Sequence, residues 1–297
     1  MHERLAPGVF QIDTELGGWG EMTAGYLIEG PEPCLVETGS QTSVPTLLGA
    51  LDELNVAPHD LASVVVTHIH LDHAGGVGDV AAAFPRATVY VHEKGARHLV
   101  DPTRLVASAA MVYGDLLDSL YGRLTPTDAA RIRVLLDGEP VRVSPTRALT
   151  AIDSPGHAKH HLSVHDSDSG LLFVGDAVGV RLPKVGVLRP ATPPPDFDLD
   201  LALASIERLA ERKPAGVALA HYGLLPGDPQ ESLGEAAETL RRWGRVAEQA
   251  FHDGRDIAAA LDEAFGHDFD SAEPEHRQRA ETLNGVHSNA AGFRRWL

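Results

Sequence analysis

Seven side chains of the types that bind metal ions fall in four short segments of the sequence. The longest segment, Thr67–His73, reads Thr-His-Ile-His-Leu-Asp-His, and the others read Ser-Pro-Gly-His, Val-Gly-Asp and Ala-His-Tyr-Gly. Imidazole and carboxylate groups of this kind bind Zn²⁺, Fe and Mn²⁺. We therefore predict a metal site built from these side chains. They are His68, His70, Asp72, His73, His157, Asp176 and His221.

Each of the four segments directly follows a predicted strand. Because an α/β sheet places its ligand sites at the carboxyl ends of strands, we expect the four segments to meet. In an extended backbone His68 and His70 lie on the same side, whereas Asp72 and His73 come after a turn and can face a second centre. The predicted strands are apolar or β-branched runs, and they span Leu61–Thr67, Leu149–Asp153, Leu171–Val174 and Gly216–Ala220.

The alternation of strands and helices around these segments predicts an α/β layered domain. Helical periodicity favours helices over Val44–Leu54 and Gly76–Phe84. Residues 101–137 lack strand signals and carry an apolar stripe, so we predict a helical insertion there, compatible with a lid over the site. After Pro226 the pattern is helical to the end, including one helix over Glu273–Trp296. We therefore predict a catalytic domain over residues 1–226 and a helical C-terminal extension over residues 227–297.

The amino-acid composition of the chain limits the classes of molecule that it is expected to bind. The 297 residues carry a net charge of −17, which repels nucleic-acid phosphates and anionic lipid. No stretch approaches the roughly 20 apolar residues that span a bilayer, and the N-terminus has no apolar signal region. The single cysteine, Cys34, has no partner for an intramolecular disulfide. We expect a cytoplasmic protein with a small-molecule substrate and neither a nucleic-acid nor a membrane partner.

The four segments together resemble the metallo-β-lactamase superfamily, and most closely its glyoxalase-II-like and lactonase-like metallohydrolases. The similarity covers about Val9 to Gly223 and keeps the motifs in the family's order. It implies a four-layer αβ/βα sandwich with two divalent metal ions at one edge, Zn²⁺ foremost and Fe or Mn²⁺ as other choices. It further implies that one ion binds His68, His70 and His157, that the other binds Asp72, His73 and His221, and that Asp176 bridges them.

The activity that this resemblance implies is hydrolysis of an ester, lactone or thioester bond of a small molecule. Two metal ions that share a water lower its pKa from 15.7 to near 7, and the resulting hydroxide attacks a carbonyl carbon. Asp72 is a candidate for proton transfer to the leaving group, and Tyr222 for a hydrogen bond to the developing oxyanion. Two alternatives stay open. One is a mononuclear iron persulfide dioxygenase of the same fold, and the other is a non-catalytic metal-binding protein.

Several further residues separate the chain from other branches of that family. Leu71 stands where flavodiiron-type relatives have a carboxylate, which disfavours electron-transfer chemistry. The negative charge disfavours RNA processing.

Glu37 replaces the aspartate of many relatives, and we expect it to support the metal-binding loop from behind. His161 is a second candidate for such support. Relatives often dimerise, so a homodimer is a further possibility.

Overall fold

The protein, described over all 297 residues by a computed structural model, contains two β-sheets. The first sheet has seven strands, which are β1 (His2–Ala6), β2 (Val9–Asp13), β3 (Ala24–Ile28), β4 (Cys34–Val36), β5 (Ser63–Val65), β6 (Thr88–Val91) and β7 (Ile132–Val134). They lie side by side in chain order. Pairing is antiparallel from β1 to β4 and parallel from β4 to β7. The parallel half therefore brings the carboxyl ends of its strands to one edge.

The second sheet has six strands, which are β8 (Pro140–Arg142), β9 (Ala148–Asp153), β10 (Leu162–Asp166), β11 (Leu171–Phe173), β12 (Gly216–Leu219) and β13 (Gly223–Leu224). They also lie in chain order. All neighbours pair antiparallel except β11 and β12, which are parallel. The short polar segment between β10 and β11 forms the hairpin turn that its composition predicts.

Ten helices surround the sheets, and none of them is long and apolar enough to cross a membrane. Three of the helices begin directly after Asp198, Asp228 and Asp256, whose carboxylates accept hydrogen bonds from the first turn and satisfy free N–H groups there. The helices are α1 (Val44–Glu53), α2 (Leu71–Ala74), α3 (Val77–Ala83), α4 (Glu93–Val100), α5 (Thr103–Tyr113), α6 (Leu199–Ala210), α7 (Pro229–His252), α8 (Ile257–Phe265), α9 (Pro274–Asn284) and α10 (Val286–Trp296).

The two sheets pack face to face over a shared apolar layer. Tyr26 and Val36 of the first sheet and Leu162 and Phe173 of the second belong to this buried cluster. A second buried cluster joins the other face of the first sheet to α1 and α3. A third joins the other face of the second sheet to α6, α7, α8 and α10. The layers therefore run helix, sheet, sheet, helix, which confirms the predicted αβ/βα sandwich.

The predicted insertion over residues 101–137 is helical only in its first half. After α5 the chain forms a π-helical turn, Leu117–Tyr121, and then the edge strand β7. The expectation that this region lacks strands was wrong. Strand β7 has three residues, and it forms because its backbone pairs in parallel with β6, with Arg133 opposite Tyr90. Such distant pairing leaves only a weak local signal in the sequence.

The C-terminal region is helical as expected, but the single helix predicted over Glu273–Trp296 is divided. Gly285 has an extended backbone (φ −71°, ψ 157°) and separates α9 from α10. At this break Arg189 donates a hydrogen bond to the carbonyl oxygen of Asn284, 3.2 Å away. The interruption therefore frees backbone groups for contacts with the catalytic-site loops. The predicted domain boundary between residues 226 and 227 stays a prediction.

Candidate metal centre

The four polar segments lie at the carboxyl ends of strands from both sheets, at one edge of the sandwich. His68 and His70 follow β5, and the single turn of α2 then presents Asp72 and His73. His157 follows β9, Asp176 follows β11, and His221 follows β12. The fold therefore brings together all seven predicted metal-binding side chains, and six of them are buried.

Three histidines form the first cluster of the centre. The Nε2 atom of His68 lies 3.0 Å from Nδ1 of His70, and Nε2 of His157 lies 3.0 Å from the same Nδ1 atom. These three ring nitrogens converge within the distance that a common metal ion requires. They are the three histidines that the family resemblance assigns to one ion.

Asp72, His73 and His221 form the second cluster. The Nε2 atoms of His73 and His221 lie 3.1 Å apart, and a carboxylate oxygen of Asp72 lies 3.4 Å from Nε2 of His221. This cluster has one carboxylate, whereas the first has none. The second position therefore carries more negative charge before any ion binds.

The carboxylate of Asp176 lies between the two clusters. Its Oδ2 atom is 3.5 Å from Nε2 of His157 and 3.5 Å from Nε2 of His73. Its Oδ1 atom is 3.7 Å from Nε2 of His221 and has no hydrogen-bond partner, although it is fully buried. A buried, unpartnered carboxylate oxygen costs free energy unless a cation satisfies it. This position suits a bridging ligand.

In two of the histidines the ring nitrogen that points away from the centre is hydrogen-bonded to the backbone, and this bond determines that the other nitrogen faces the centre. Nδ1 of His157 donates to the carbonyl oxygen of Ala191 at 2.9 Å, and Nδ1 of His221 donates to that of Met22 at 2.7 Å. Since a neutral imidazole carries one N–H, the Nε2 lone pairs of both rings point inward. Nε2 of His157 lies 3.0 Å from Nδ1 of His70, and Nε2 of His221 lies 3.1 Å from Nε2 of His73. Two ring-nitrogen lone pairs at such a distance repel each other unless a cation lies between them. The donor set therefore fits divalent metal ions.

Burial and neighbouring charges shift the pKa values of the side chains differently in the two clusters. Burial, together with the neighbouring histidines, holds the pKa values of His68 and His70 well below the ordinary range. Burial also opposes protonation of His73, but Asp176 and Asp72 raise its pKa well above the ordinary value. Burial opposes ionisation of Asp176 as well, yet His73 keeps its pKa well below the usual range. Before any ion binds, His68 and His70 are therefore neutral imidazoles, whereas His73 is protonated beside ionised carboxylates and would release its proton when a divalent metal ion binds.

Glu37 holds the metal-binding loop from behind. Its Oε1 atom accepts a hydrogen bond from the backbone N–H of Thr67 at 2.8 Å, and its Oε2 atom accepts from Nδ1 of His73 at 3.0 Å. The side chain is 2% exposed. One carboxylate therefore fixes both the end of β5 and the orientation of a candidate ligand, which is the supporting position expected from the sequence.

His161 supports the bridging position from the other side. Its Nε2 atom accepts a hydrogen bond from the backbone N–H of Asp176 at 3.1 Å, and its Nδ1 atom lies 2.8 Å from the hydroxyl of Ser154. The adjacent Gly175 has φ +50°, and a Cβ there would lie 2.6 Å from His161 Nε2 and 2.5 Å from Thr67 Oγ1. Only glycine fits this turn, so the backbone that presents Asp176 has no spare room.

Tyr222 has a different environment from that expected. Burial, then the charge of Asp13, raises the pKa of its phenol, and Gln11 hydrogen-bonds to it. Asp13, Glu21 and Glu3 are the carboxylates with the largest effects on it, and none of them is a predicted metal ligand. The structure thus directs the phenol toward β2, and an oxyanion role for Tyr222 stays a prediction.

A pair of tyrosines from the insertion lies close enough to the centre for the charge of Asp72 to raise the pKa of both phenols, and sequence reasoning did not identify the pair as functional. The rings of Tyr113 and Tyr121 stack with centroids 4.1 Å apart and planes at 22°. Burial, then the charge of Asp72, raises the pKa of Tyr113, and Asp176 adds to this effect. The only signal in the sequence was the aromatic content of the apolar stripe, which core packing explains equally well.

Comparisons with proteins of known sequence identify hydrolases among the relatives. A metallo-beta-lactamase fold-containing protein of Sulfurisphaera tokodaii is 33% identical over 165 residues, covering 54% of this chain and 60% of that protein. A human acyl-coenzyme A thioesterase is 30% identical over 197 residues, covering 60% of this chain and 66% of that protein. A hydroxyacylglutathione hydrolase of Cereibacter sphaeroides is 35% identical over 118 residues, covering 40% and 34%. This chain thus matches less than two thirds of each of these relatives.

Solved structures and a family model agree on the fold. A crystal structure of an archaeal metallo-beta-lactamase superfamily protein from Sulfolobus tokodaii superposes with a TM-score of 0.67 at 27% identity, covering 80% of this chain and 86% of that one. A metallo-beta-lactamase family protein from Thermus thermophilus superposes with a TM-score of 0.69 at 23% identity, covering 96% and 93%. The model of the metallo-beta-lactamase superfamily matches residues 18–221, which include all seven predicted ligands. The chain therefore belongs to the metallo-beta-lactamase superfamily.

Proposed function

We propose that this chain is a hydrolase that cleaves an ester, lactone or thioester bond of a small molecule and uses two divalent metal ions. The observation that carries the proposal is the position of Asp176 between two three-residue clusters. Two metal ions bound there would polarise a carbonyl group and lower the pKa of a water molecule. Zn²⁺ suits nitrogen and oxygen ligands of this kind, and Fe and Mn²⁺ are the other candidates.

The protein side chains account for the proton transfers that hydrolysis needs. Burial opposes ionisation of Asp72, but His73 and His221 hold its pKa well below the usual range, so it is a carboxylate at neutral pH. Its side chain is 11% exposed, against 7% for Asp176. We assign Asp72 to accept a proton from the attacking water and to pass it to the leaving group, since it combines an ionised carboxylate with access to the substrate. An Asp72→Ala variant that keeps its metals and its full activity would contradict this assignment.

The surroundings of the centre favour a substrate with an apolar acyl part. Tyr113 and Ala191 pack against the buried apolar cluster that includes Ile69 and Leu71, which alternate with metal-binding side chains in the sequence. On the flanking loops Lys159 is paired with Asp196 at 3.1 Å, and Lys184 is paired with Glu21 at 3.4 Å. Neither lysine is therefore free to hold an anionic substrate group. The thioesterase names of several relatives agree with an acyl substrate.

The test is turnover of a substrate panel by protein purified without chelator. Aryl esters, lactones and acyl thioesters would be assayed before metal removal, after it, and after Zn²⁺ is added back. We expect hydrolysis of at least one class, loss of activity with the metal, and recovery on addition. Asp176→Asn should remove activity, whereas Asp253→Asn on the exposed end of α7 should not. Oxygen uptake with a persulfide, one bound iron and no hydrolysis would instead establish the dioxygenase.

A further inference from the structure

A second cavity lies apart from the metal centre, between the loop that follows Asp176 and the C-terminal helices. Its volume is about 280 Å³, and none of the seven predicted metal ligands lines it. One wall is the loop from Arg181 to Leu188, and the other is formed by α7, α8 and the end of β13. The cavity is therefore a separate site, formed where the C-terminal helices cover the catalytic sandwich.

Two guanidinium groups line this cavity without a partner in the protein. Arg181 and Arg242 make no ion pair and no side-chain hydrogen bond, although most arginines of this acidic chain do. Two carboxylates also line the cavity. Asp268 lies 3.6 Å from the buried guanidinium of Arg189 and is therefore already paired. Glu235 is the remaining free carboxylate, so the unpaired cations outnumber the unpaired anions.

Part of the remaining lining is apolar, and Ser232 and Thr239 add hydroxyl groups to it. The rings of Trp243 and Phe265 stack with centroids 4.6 Å apart and planes at 8°. The guanidinium of Arg242 lies 5.6 Å from the centre of the Phe265 ring, which orients it beside this stack. Val187 on the loop wall and Leu225 on the helical wall complete the apolar part of the surface. The two guanidinium groups beside the aromatic stack can therefore receive a ligand that has an anionic end and an apolar body.

We propose that this cavity binds a small carboxylic acid with an apolar body. Guanidinium groups bind carboxylates through paired, charge-assisted hydrogen bonds, and Arg181 and Arg242 have this capacity unused. The volume lies just below the usual range for small-molecule sites, which matches a short-chain acid and excludes a ligand as large as a coenzyme. None of the predicted metal ligands lines the cavity, and Asp72 and Tyr222 do not line it either, although the backbone N–H of Arg181 donates to the carbonyl oxygen of His221.

The test is calorimetric titration of the metal-loaded protein with hexanoate, and with hexanol as the uncharged probe. Hexanoate can also bind at the metal centre, and that binding is the same in all variants. Binding in the cavity is therefore identified as the heat signal that changes when Arg181 or Arg242 is substituted. We expect that Arg181→Gln and Arg242→Gln each weaken binding in the cavity about tenfold or more. Arg212→Gln, an exposed arginine outside the cavity, should leave it unchanged. Glu235→Gln should strengthen it, because a repelling charge is removed.

Two results would overturn the proposal. If hexanoate binds the Arg181 and Arg242 variants as it binds the wild type, the only carboxylate site is the metal centre. If hexanol produces the same arginine-dependent event, the cavity recognises apolar groups and not carboxylates. Arg242 is exposed, so its substitution leaves the core intact, and thermal unfolding of each variant verifies this.

Discussion

Glu37 links the end of a buried strand to one candidate metal ligand, so its amide variant isolates the effect of that support. In Glu37→Gln one carboxylate oxygen becomes an NH₂ group. Either the Thr67 N–H at 2.8 Å or the Nδ1–H of His73 at 3.0 Å then faces a donor in place of an acceptor. Both groups are buried, so water does not replace the lost partner.

The expected losses of folding stability and of metal affinity both follow from the loss of one hydrogen-bond acceptor. An unsatisfied buried donor costs about 1–3 kcal/mol of folding stability. Removing the partner that orients a metal-binding histidine lowers metal affinity by about 10–100-fold. We therefore expect Glu37→Gln to unfold at a lower temperature and to bind Zn²⁺ at least about tenfold more weakly. Chelator competition measures the affinity, and a thermal melt of the metal-free protein measures the stability.

The matched control is Glu211→Gln, because Glu211 is exposed at the end of α6 and forms no ion pair. It should behave as the wild type in both assays. The reasoning is refuted if Glu37→Gln keeps the wild-type Zn²⁺ affinity and melting temperature. A loss of stability at unchanged Zn²⁺ affinity would show that Glu37 holds the strand but does not orient His73.

Three further variants test other parts of the structure. Asp166→Asn leaves buried Arg147 unpaired and should cost about 3 kcal/mol at pH 7 in a denaturant titration. Burial opposes ionisation of Asp166, but Arg147 lowers its pKa, so this deficit should shrink as pH falls below about 4. Gly175→Ala forces a Cβ into a filled turn and should reduce metal content by displacing Asp176, measured by elemental analysis. Tyr113→Ala should raise KM for apolar esters roughly fivefold at unchanged metal content, whereas Tyr113→Phe should not.

The sequence predicted the layered fold and the meeting of the strand ends, because both depend on local patterns. Buried strands are β-branched runs, and a polar, metal-competent residue such as His157 directly after such a run has no packing role. Strands β9, β11 and β12 run in the same direction, because β10 is antiparallel to both β9 and β11 and β11 pairs in parallel with β12, so their carboxyl ends lie at one edge of the sandwich. The position of Glu37 was also foreseeable, since it stands where related sequences carry an acid.

The features that were missed depend on contacts between distant parts of the chain. Strand β7 exists through its pairing with β6, and its three residues give little local signal. The break at Gly285 creates contacts with Arg189, almost a hundred residues earlier. Tyr113 looked like core packing because a stripe of apolar residues on a helix does not show which face meets the active site.

The central claim is that two metal ions share Asp176, and metal content per chain tests it most directly. Elemental analysis would compare wild type with His157→Ala, which disrupts only the first cluster, and His221→Ala, which disrupts only the second. We predict about two ions in the wild type and about one in each variant. One ion in the wild type, lost in His157→Ala and retained in His221→Ala, would contradict the claim and show that only the first cluster binds metal.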